Sequence, residues 1–353
     1  MGTTTNGLVC AHHHLYSTLA RGMPAPPSTP TGFLQILDQV WWRLDAALDL
    51  DIIKWSAMLG AAEALLCGTT AIVDHHESPN AIEGSLDVIR DACASVGMRT
   101  NLSYGVTDRW EGGVMRHKVD RSSSMTDGAR RGLAENERFL RSGGRGMVGA
   151  HASFTCGDET LESAAGLARD LGTGVHIHVA EGIEDSAAGE RLEGIAADDW
   201  LLVHCVHLDR PLRGTIAHNP RSNMNNAVGY ADPASRPNMT VLGTDGIGAD
   251  MLEEARVAYA RHRETDVTAT PESAFRWLAN GEQLFPEVRN DSVEWNYDHV
   301  ESPWHAAFTP GVRPVNVSVD GIPVVVNGVP RTFDIEEIRA KAAEAAATLH
   351  SRL

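Results

Sequence analysis

Apolar and polar positions alternate between two textures along the chain. Short runs rich in Val, Ile and Leu recur at 8–15, 69–76, 99–106, 147–153, 174–181, 201–208, 215–219 and 240–246. Between many of them lie Ala/Leu-rich stretches with helical spacing of apolar positions, at 58–66, 81–95, 127–140, 161–171 and 251–263. Strand alternating with helix indicates a parallel sheet faced by helices. Eight such units predict an α/β chain of (β/α)8 TIM-barrel type, spanning residues 7–280.

One link departs from this rhythm. Only Asp209-Arg210-Pro211-Leu212-Arg213-Gly214 separates the sixth and seventh strands. A parallel crossover usually takes about a dozen residues or more and a helix. The segment therefore predicts no helix there and thin cover over that side. After residue 263 the texture changes. Residues 271–280 read as a short helix, and 281–314 as irregular, with many Trp, Asn and Pro. Residues 315–319 and 322–326 alternate as strands around Asp320-Gly321, a hairpin signal. A second turn follows at Asn327-Gly328, and 334–353 form an Ala-rich helix. The expected second unit is thus 281–353: an irregular segment, a hairpin and a C-terminal helix. A hairpin standing alone is marginal, and its edges are exposed.

Composition removes several classes. Hydrophobic residues make up 42% of the 353 positions, enough for a substantial core. No apolar run approaches the ~20 residues of a membrane-spanning helix, and no basic-then-apolar leader precedes Ala11. A net charge of −17 without a basic block argues against nucleic acid as a partner. The five cysteines are dispersed and form no CxxC pair, which reads as reduced thiols in a cytoplasmic protein and argues against thiolate zinc. The only lysines are Lys54, Lys118 and Lys341.

Histidine carries the chemistry. Of 16 histidines, eleven fall in the predicted strands or at their exits, and barrel active sites sit at the carboxyl ends of strands. Alternate residues of a strand share a face, so His12 and His14 form a metal pincer, while His13 and His207 fall out of phase. His178-x-x-Glu181 adds an imidazole and a carboxylate. Asp245 ends the eighth strand among small residues, and His204 ends the sixth. A metal that activates water needs a few protein ligands and an open position. Each motif alone is weak. Their order on strands one, five, six and eight makes a metal hydrolase the reading.

The motifs carry a family resemblance. They are His12-His13-His14-Leu15-Tyr16-Ser17, Trp41-Trp42-Arg43-Leu44-Asp45, Val73-Asp74-His75-His76-Glu77-Ser78-Pro79, Gly149-Ala150-His151-Ala152, His176-Ile177-His178-Val179-Ala180-Glu181, His218-Asn219-Pro220-Arg221-Ser222-Asn223 and Leu242-Gly243-Thr244-Asp245-Gly246. With them the chain resembles the amidohydrolase superfamily, in the aminohydrolase branch of cytosine, guanine, 8-oxoguanine and adenosine-type deaminases and triazine hydrolases. The resemblance implies one divalent metal ion per chain, held by His12, His14, His178 and Asp245. Zinc is the expected ion and iron the alternative, since both suit this ligand set.

The catalytic residues implied are Glu181 as proton shuttle, His204 as polarising group and Asp245 as proton acceptor. His151, His76 and Asn223 are implied substrate contacts; for His75 a structural and a functional role stay equally open. The implied partner is a small molecule, an amine-bearing and purine-like heterocycle that loses ammonia, and a homodimer is allowed. Dinuclear relatives bridge two metals with a carboxylated lysine on the fourth strand, and 147–153 contain no lysine.

Four departures from the family pattern stand out. Only eleven residues precede His12, where relatives carry a longer segment that builds most of a small β-sandwich. The sixth helix is absent, the return at 281–291 is short, and Cys10 replaces the usual Asn. The C-terminal hairpin is then expected as a remnant of that sandwich. Two other readings stay open: a shortened paralogue that binds metal without turnover, and a related hydrolase with a leaving group such as chloride.

Overall fold

Eight parallel strands surround a closed interior in the computed structural model, which describes residues 2–353. They are β1 (Leu8–His13), β2 (Thr69–His76), β3 (Arg99–Tyr104), β4 (Val148–Ala152), β5 (Val175–Val179), β6 (Leu201–His204), β7 (Thr215–His218) and β8 (Thr240–Leu242). One arc joins β1, β2 and β3, and a second joins β4 through β8. The arcs meet at both ends. Leu102 lies opposite Gly146 and Val106 opposite Ala150 on one side, and His13 lies opposite Asp245 on the other. The amide of Met147 donates to Leu102 O at 3.2 Å and that of His151 to Val106 O at 2.8 Å. At the other seam the Thr244 amide donates to His12 O at 2.9 Å. The β3–β4 seam needs a missing side chain: a Cβ on Gly149 would lie 2.2 Å from Tyr104 O.

Strand alternation sets what fills the barrel. Val9, Ala11, Ala71, Val73, Met147, Leu201, Val203, Ala217 and Val241 share one apolar cluster, with Phe285 and Val288 packed into it. This is the layered interior expected of such a barrel. The residues between them, such as Cys10, Ile72 and Leu242, pack outward against the helices. Uninterrupted alternation from Val9 and Ala11 would turn His13 inward. Instead the pairing of β1 with β2 shifts register between Cys10 and His13. That irregularity, a bulge, re-aims the strand end.

The helices between and after the strands are α1 (Leu50–Leu66), α2 (Ser85–Val96), α3 (Asp127–Arg141), α4 (Asp158–Leu171), α5 (Ala188–Leu192), α6 (Pro220–Asn225), α7 (Met251–Thr265) and α8 (Pro271–Ala279). The predicted helices are present, and α5 and α6 join them as short helices the apolar spacing did not mark. The first helix starts well before the predicted 58–66 because the Asp49 carboxylate caps the Ile52 amide at 2.9 Å. No helix lies between β6 and β7, as the short link predicted. Side chains pin that link instead: the Asn238 amide donates to Leu212 O at 2.9 Å and Gly214 O at 2.7 Å. Residues 33–47 form a further helical run, wound wide at Leu37–Trp41.

The irregular 281–314 segment is more ordered than expected. It holds β9 (Ser292–Trp295) and the one-turn helix α9 (Pro303–Phe308). The hairpin of β10 (Pro314–Val319) and β11 (Ile322–Val326) does not stand alone. A five-stranded antiparallel sheet runs in the order Thr4–Thr5, β9, β10, β11 and Val329–Pro330. The N-terminal segment therefore supplies one edge of this sheet. Val293, Trp295, Val317, Val324 and Val325 share a core cluster with α1 and with the last helix, α10 (Ile335–His350). That shared burial is what a bare hairpin lacks. Among the described residues no helix is long and apolar enough to cross a membrane.

Candidate metal centre and pocket

The predicted ligands converge at the carboxyl end of the barrel. Ligand atoms of His12, His178, His204 and Asp245 lie within 4.8 Å of one another, and those of His14, His75 and His178 do the same. His14 Nε2 is 2.9 Å from Asp245 Oδ1, and His12 Nε2 is 3.4 Å from the same oxygen. His14 and His178 bring their Nε2 atoms to 3.2 Å.

Hydrogen bonds behind the rings fix which nitrogen faces the centre. His14 Nδ1 donates to His75 O at 2.5 Å, and His178 Nδ1 to His151 O at 2.6 Å. His204 Nδ1 donates to Asn223 Oδ1 at 2.7 Å. The Nε2 atoms of His12 and His204 are buried without a protein hydrogen-bond partner. Imidazole lone pairs and a carboxylate thus crowd one small space, an arrangement that calls for a cation. The ionisation of the site reflects that demand. Burial opposes charge on His14, yet the Asp245 carboxylate lifts its pKa to about 9. Burial likewise resists the Asp245 charge, but the His12 and His14 side chains beside it hold it well below the usual carboxylate range. Burial holds His12 neutral and lowers His178 to about 3, the state a metal ligand needs. The donor set therefore fits a divalent metal ion.

Local backbone distortion aims several of these groups. Ala180, His204, Cys205 and Asp245 are non-glycine residues with φ between 48° and 70°. Such left-handed backbone costs energy and clusters at functional sites. Strict alternation from Leu201 and Val203 would point His204 away from the barrel axis, and its φ of 70° returns it to the centre. The Ala180 turn projects Glu181 beside His204: Oε2 lies 3.4 Å from His204 Nε2, and Oε1 accepts from the Asn226 amide at 3.1 Å. Burial raises the Glu181 pKa to about 7; Asp245 adds to the rise and His204 opposes it. Ser222 donates its hydroxyl to Asp245 Oδ2.

Beside the centre lies a cavity of about 170 Å3. His14, His178, Glu181 and Asp245 line it, with an apolar wall from Phe33, Leu37, Trp41 and Phe154. His151 also lines it. Two other expected contacts do not. His76 lies on the outward face of β2, where its Nε2 is 2.8 Å from Ser78 Oγ and its ring packs on Tyr16 and Tyr104. Alternation from Ala71 and Val73 turns His75 inward instead. Asn223 is buried behind His204 and orients that ring rather than lining the cavity.

Two groups of residues went unassigned by the sequence. His176 meets His12 inside the barrel at 2.8 Å; its signal was alternation, two residues before His178. A buried ionic cluster adjoins the cavity: Arg109 donates to Glu77 and lies 3.8 Å from Asp45, over the Trp42 ring at 4.3 Å. Asp45 lines the cavity, and its Oδ1 has no protein partner. Asp45 ends the Trp41-Trp42-Arg43-Leu44-Asp45 motif, which carries the family resemblance without assigning the carboxylate a role.

A parallel barrel with an imidazole–carboxylate centre at its carboxyl face defines a metal-dependent hydrolase architecture. The amidohydrolase family model matches residues 3–279. The chain belongs to the amidohydrolase family. It is 31% identical over 297 residues to a 5′-deoxyadenosine deaminase of Methanopyrus kandleri, covering 75% of this chain and 63% of that protein. It is 29% identical over 393 residues to a 5-methylthioadenosine/S-adenosylhomocysteine deaminase of Syntrophomonas wolfei, covering 97% and 86%. The chain thus spans less than two thirds of the first relative and most of the second. Among solved structures, an adenosine deaminase from Xanthomonas campestris with bound zinc superposes with a TM-score of 0.77 at 20% identity, over 99% of this chain and 86% of that one. A variant of atrazine chlorohydrolase from Arthrobacter aurescens, solved with zinc and atraton, gives 0.78 at 19% identity over 97% and 88%.

Proposed function

We propose that the protein is a metal-dependent hydrolytic deaminase that releases ammonia from an amine-bearing, purine-like heterocycle. The observation that carries this reading is the convergence of His12, His14, His178 and Asp245 beside a cavity also lined by Glu181. Those four residues would hold the ion, and zinc is the ion proposed. When bound, a divalent metal polarises the attacked group and lowers the pKa of its water.

The remaining roles belong to the chain. Asp245 keeps Oδ2, bonded to Ser222, as a site for the proton taken from water. Glu181, with a pKa near neutrality, carries a proton to a ring nitrogen, as a general acid matched to its working pH does. His204 directs Nε2 at the attacked carbon's substituent. The Phe33, Leu37, Trp41 and Phe154 wall excludes water from one side. A cavity of about 150 Å3 takes up benzene, so this space suits a planar ring, with the rest of a larger ligand in its opening. The relatives named as 5′-deoxyadenosine and methylthioadenosine deaminases support an adenine ring.

The test is zinc-loaded protein incubated with 5′-deoxyadenosine, 5′-methylthioadenosine, adenosine, guanine and a chlorotriazine. Ammonia from an aminopurine is the expected result. One equivalent of zinc with no ammonia from any of them overturns the reading, as does chloride as the only product.

A further inference from the structure

We infer that His176 and Ser103 are positioning residues that set the tautomer of His12 at the metal centre; this rests on the metal-binding reading above. Three hydrogen bonds run through the barrel interior. His12 Nδ1 is 2.8 Å from His176 Nε2. His176 Nδ1 is 3.0 Å from Ser103 Oγ. The Ser103 hydroxyl is 3.0 Å from Asp74 O. All four residues are fully buried, and they come from β1, β5, β3 and β2.

The far end of this relay determines its direction. A backbone carbonyl only accepts, so the Ser103 proton points at Asp74 O. Ser103 Oγ must then accept from His176 Nδ1–H. Both rings are fully buried and the 2.8 Å nitrogen–nitrogen contact between them holds a single proton, so each imidazole carries one N–H. His176 Nε2 is consequently an acceptor and His12 Nδ1 a donor. That leaves the His12 Nε2 lone pair directed at the centre, 3.4 Å from Asp245 Oδ1 and without a protein hydrogen-bond partner.

The relay answers a problem the other ligands do not have. His14 and His178 are fixed directly by carbonyls, which admit no reversal. His12 faces another imidazole, which accepts or donates according to its own tautomer. Were His176 reversed, His12 would place its proton on Nε2, toward Asp245, and lose its metal lone pair. Ser103 and the Asp74 carbonyl prevent the reversal. Metal ligands depend on such outer partners for both tautomer and affinity.

The experiment compares His176→Gln with His176→Leu. Glutamine offers an oxygen to His12 and an amide N–H to Ser103; leucine has similar bulk and neither group. The readouts are zinc affinity by chelator competition and the visible spectrum of the cobalt-substituted protein. The Leu variant is expected to bind zinc about 10–100-fold more weakly, with a changed cobalt spectrum. The Gln variant is expected to recover most of the affinity. Wild-type affinity in the Leu variant, or equal loss in both, overturns the assignment. Should the Leu variant fail to fold, Ser103→Ala takes its place: it frees His176 to reverse and must weaken zinc several-fold, and unchanged affinity overturns the relay. No substrate enters these measurements. A failed ammonia assay therefore leaves the relay standing, whereas a wild-type protein that takes up no zinc overturns both readings.

Discussion

His14 and His178 bring their Nε2 atoms to 3.2 Å, each with its Nδ1 already committed to a backbone carbonyl. The Asp245 carboxylate stands 2.9 Å from His14 Nε2. Two imidazole nitrogens and a carboxylate this close favour a cation bound between them. An ion that binds the folded chain and not the unfolded one stabilises by about 2.7 kcal/mol at a free concentration 100 times its dissociation constant. The chelator-treated protein should therefore melt below the zinc-loaded protein, and the gap should widen with free zinc. Scanning calorimetry across a zinc titration reads this directly, and a melting temperature indifferent to zinc would count against the site.

Glu181 and Asp245 are both carboxylates at the centre, but their surroundings assign them different work. Glu181 bonds Asn226 and approaches His204, whereas Asp245 bonds His14 and Ser222. Glu181→Gln should keep zinc near one equivalent while turnover on the best aminopurine falls at least 100-fold, the scale of general acid–base catalysis. Asp245→Asn should lose turnover and zinc affinity together. Elemental analysis beside ammonia release separates the two outcomes. Loss of zinc in the Glu181 variant would place that carboxylate among the ligands.

The barrel was legible because its strands are apolar, short and regularly spaced, and the proposed site groups His12, His14, His178, Glu181, His204 and Asp245 all come from the carboxyl ends of strands one, five, six and eight. The geometry that makes them work was not. His12 faces the centre only because β1 slips register after Cys10, and His204 only because its backbone turns left-handed. Both effects arise from neighbouring strands rather than from local residues. His76 was misplaced for the opposite reason: motif likeness outweighed a plain alternation from Ala71 and Val73. Thr4–Thr5 and β9 escaped notice because two- and four-residue strands are fixed by their partners across the sheet, not by periodicity.

Arg109 is buried against Glu77 and Asp45, two carboxylates against one guanidinium. Removing the only cation of the cluster strands both acids. Arg109→Met should cost about 3–5 kcal/mol, the usual penalty for breaking a buried pair. Replacing all three charges, with Asp45→Asn and Glu77→Gln added, should recover a large part of that loss, because neutral groups no longer need the counter-ion. Urea unfolding of the single and triple variants measures the coupling. A triple variant less stable than Arg109→Met by the sum of separate losses would show that the charges act independently.

Asp185 offers a test of pH dependence away from the ligands. Asp185 is 3% exposed; Oδ2 accepts from the Ala180 amide at 2.8 Å, and Oδ1 accepts from the Ser153 hydroxyl. Burial raises its pKa from 3.8 to about 6, with those hydrogen bonds opposing the rise. The folded chain thus binds this proton more tightly than the unfolded chain. The contribution to stability is fully present below pH 3.8 and fades as pH rises through 6. Two pKa units correspond to roughly 3 kcal/mol. Asp185→Asn keeps an oxygen for the Ala180 amide, turns its own amide toward Ser153, and cannot ionise. Relative to wild type, the Asn variant should therefore gain stability between pH 4 and pH 7, by up to about 3 kcal/mol. Urea melts of both proteins at pH 4, 5, 6 and 7 give the difference at each step. A difference that stays constant across that window would mean that Asp185 keeps an ordinary carboxylate pKa despite its burial.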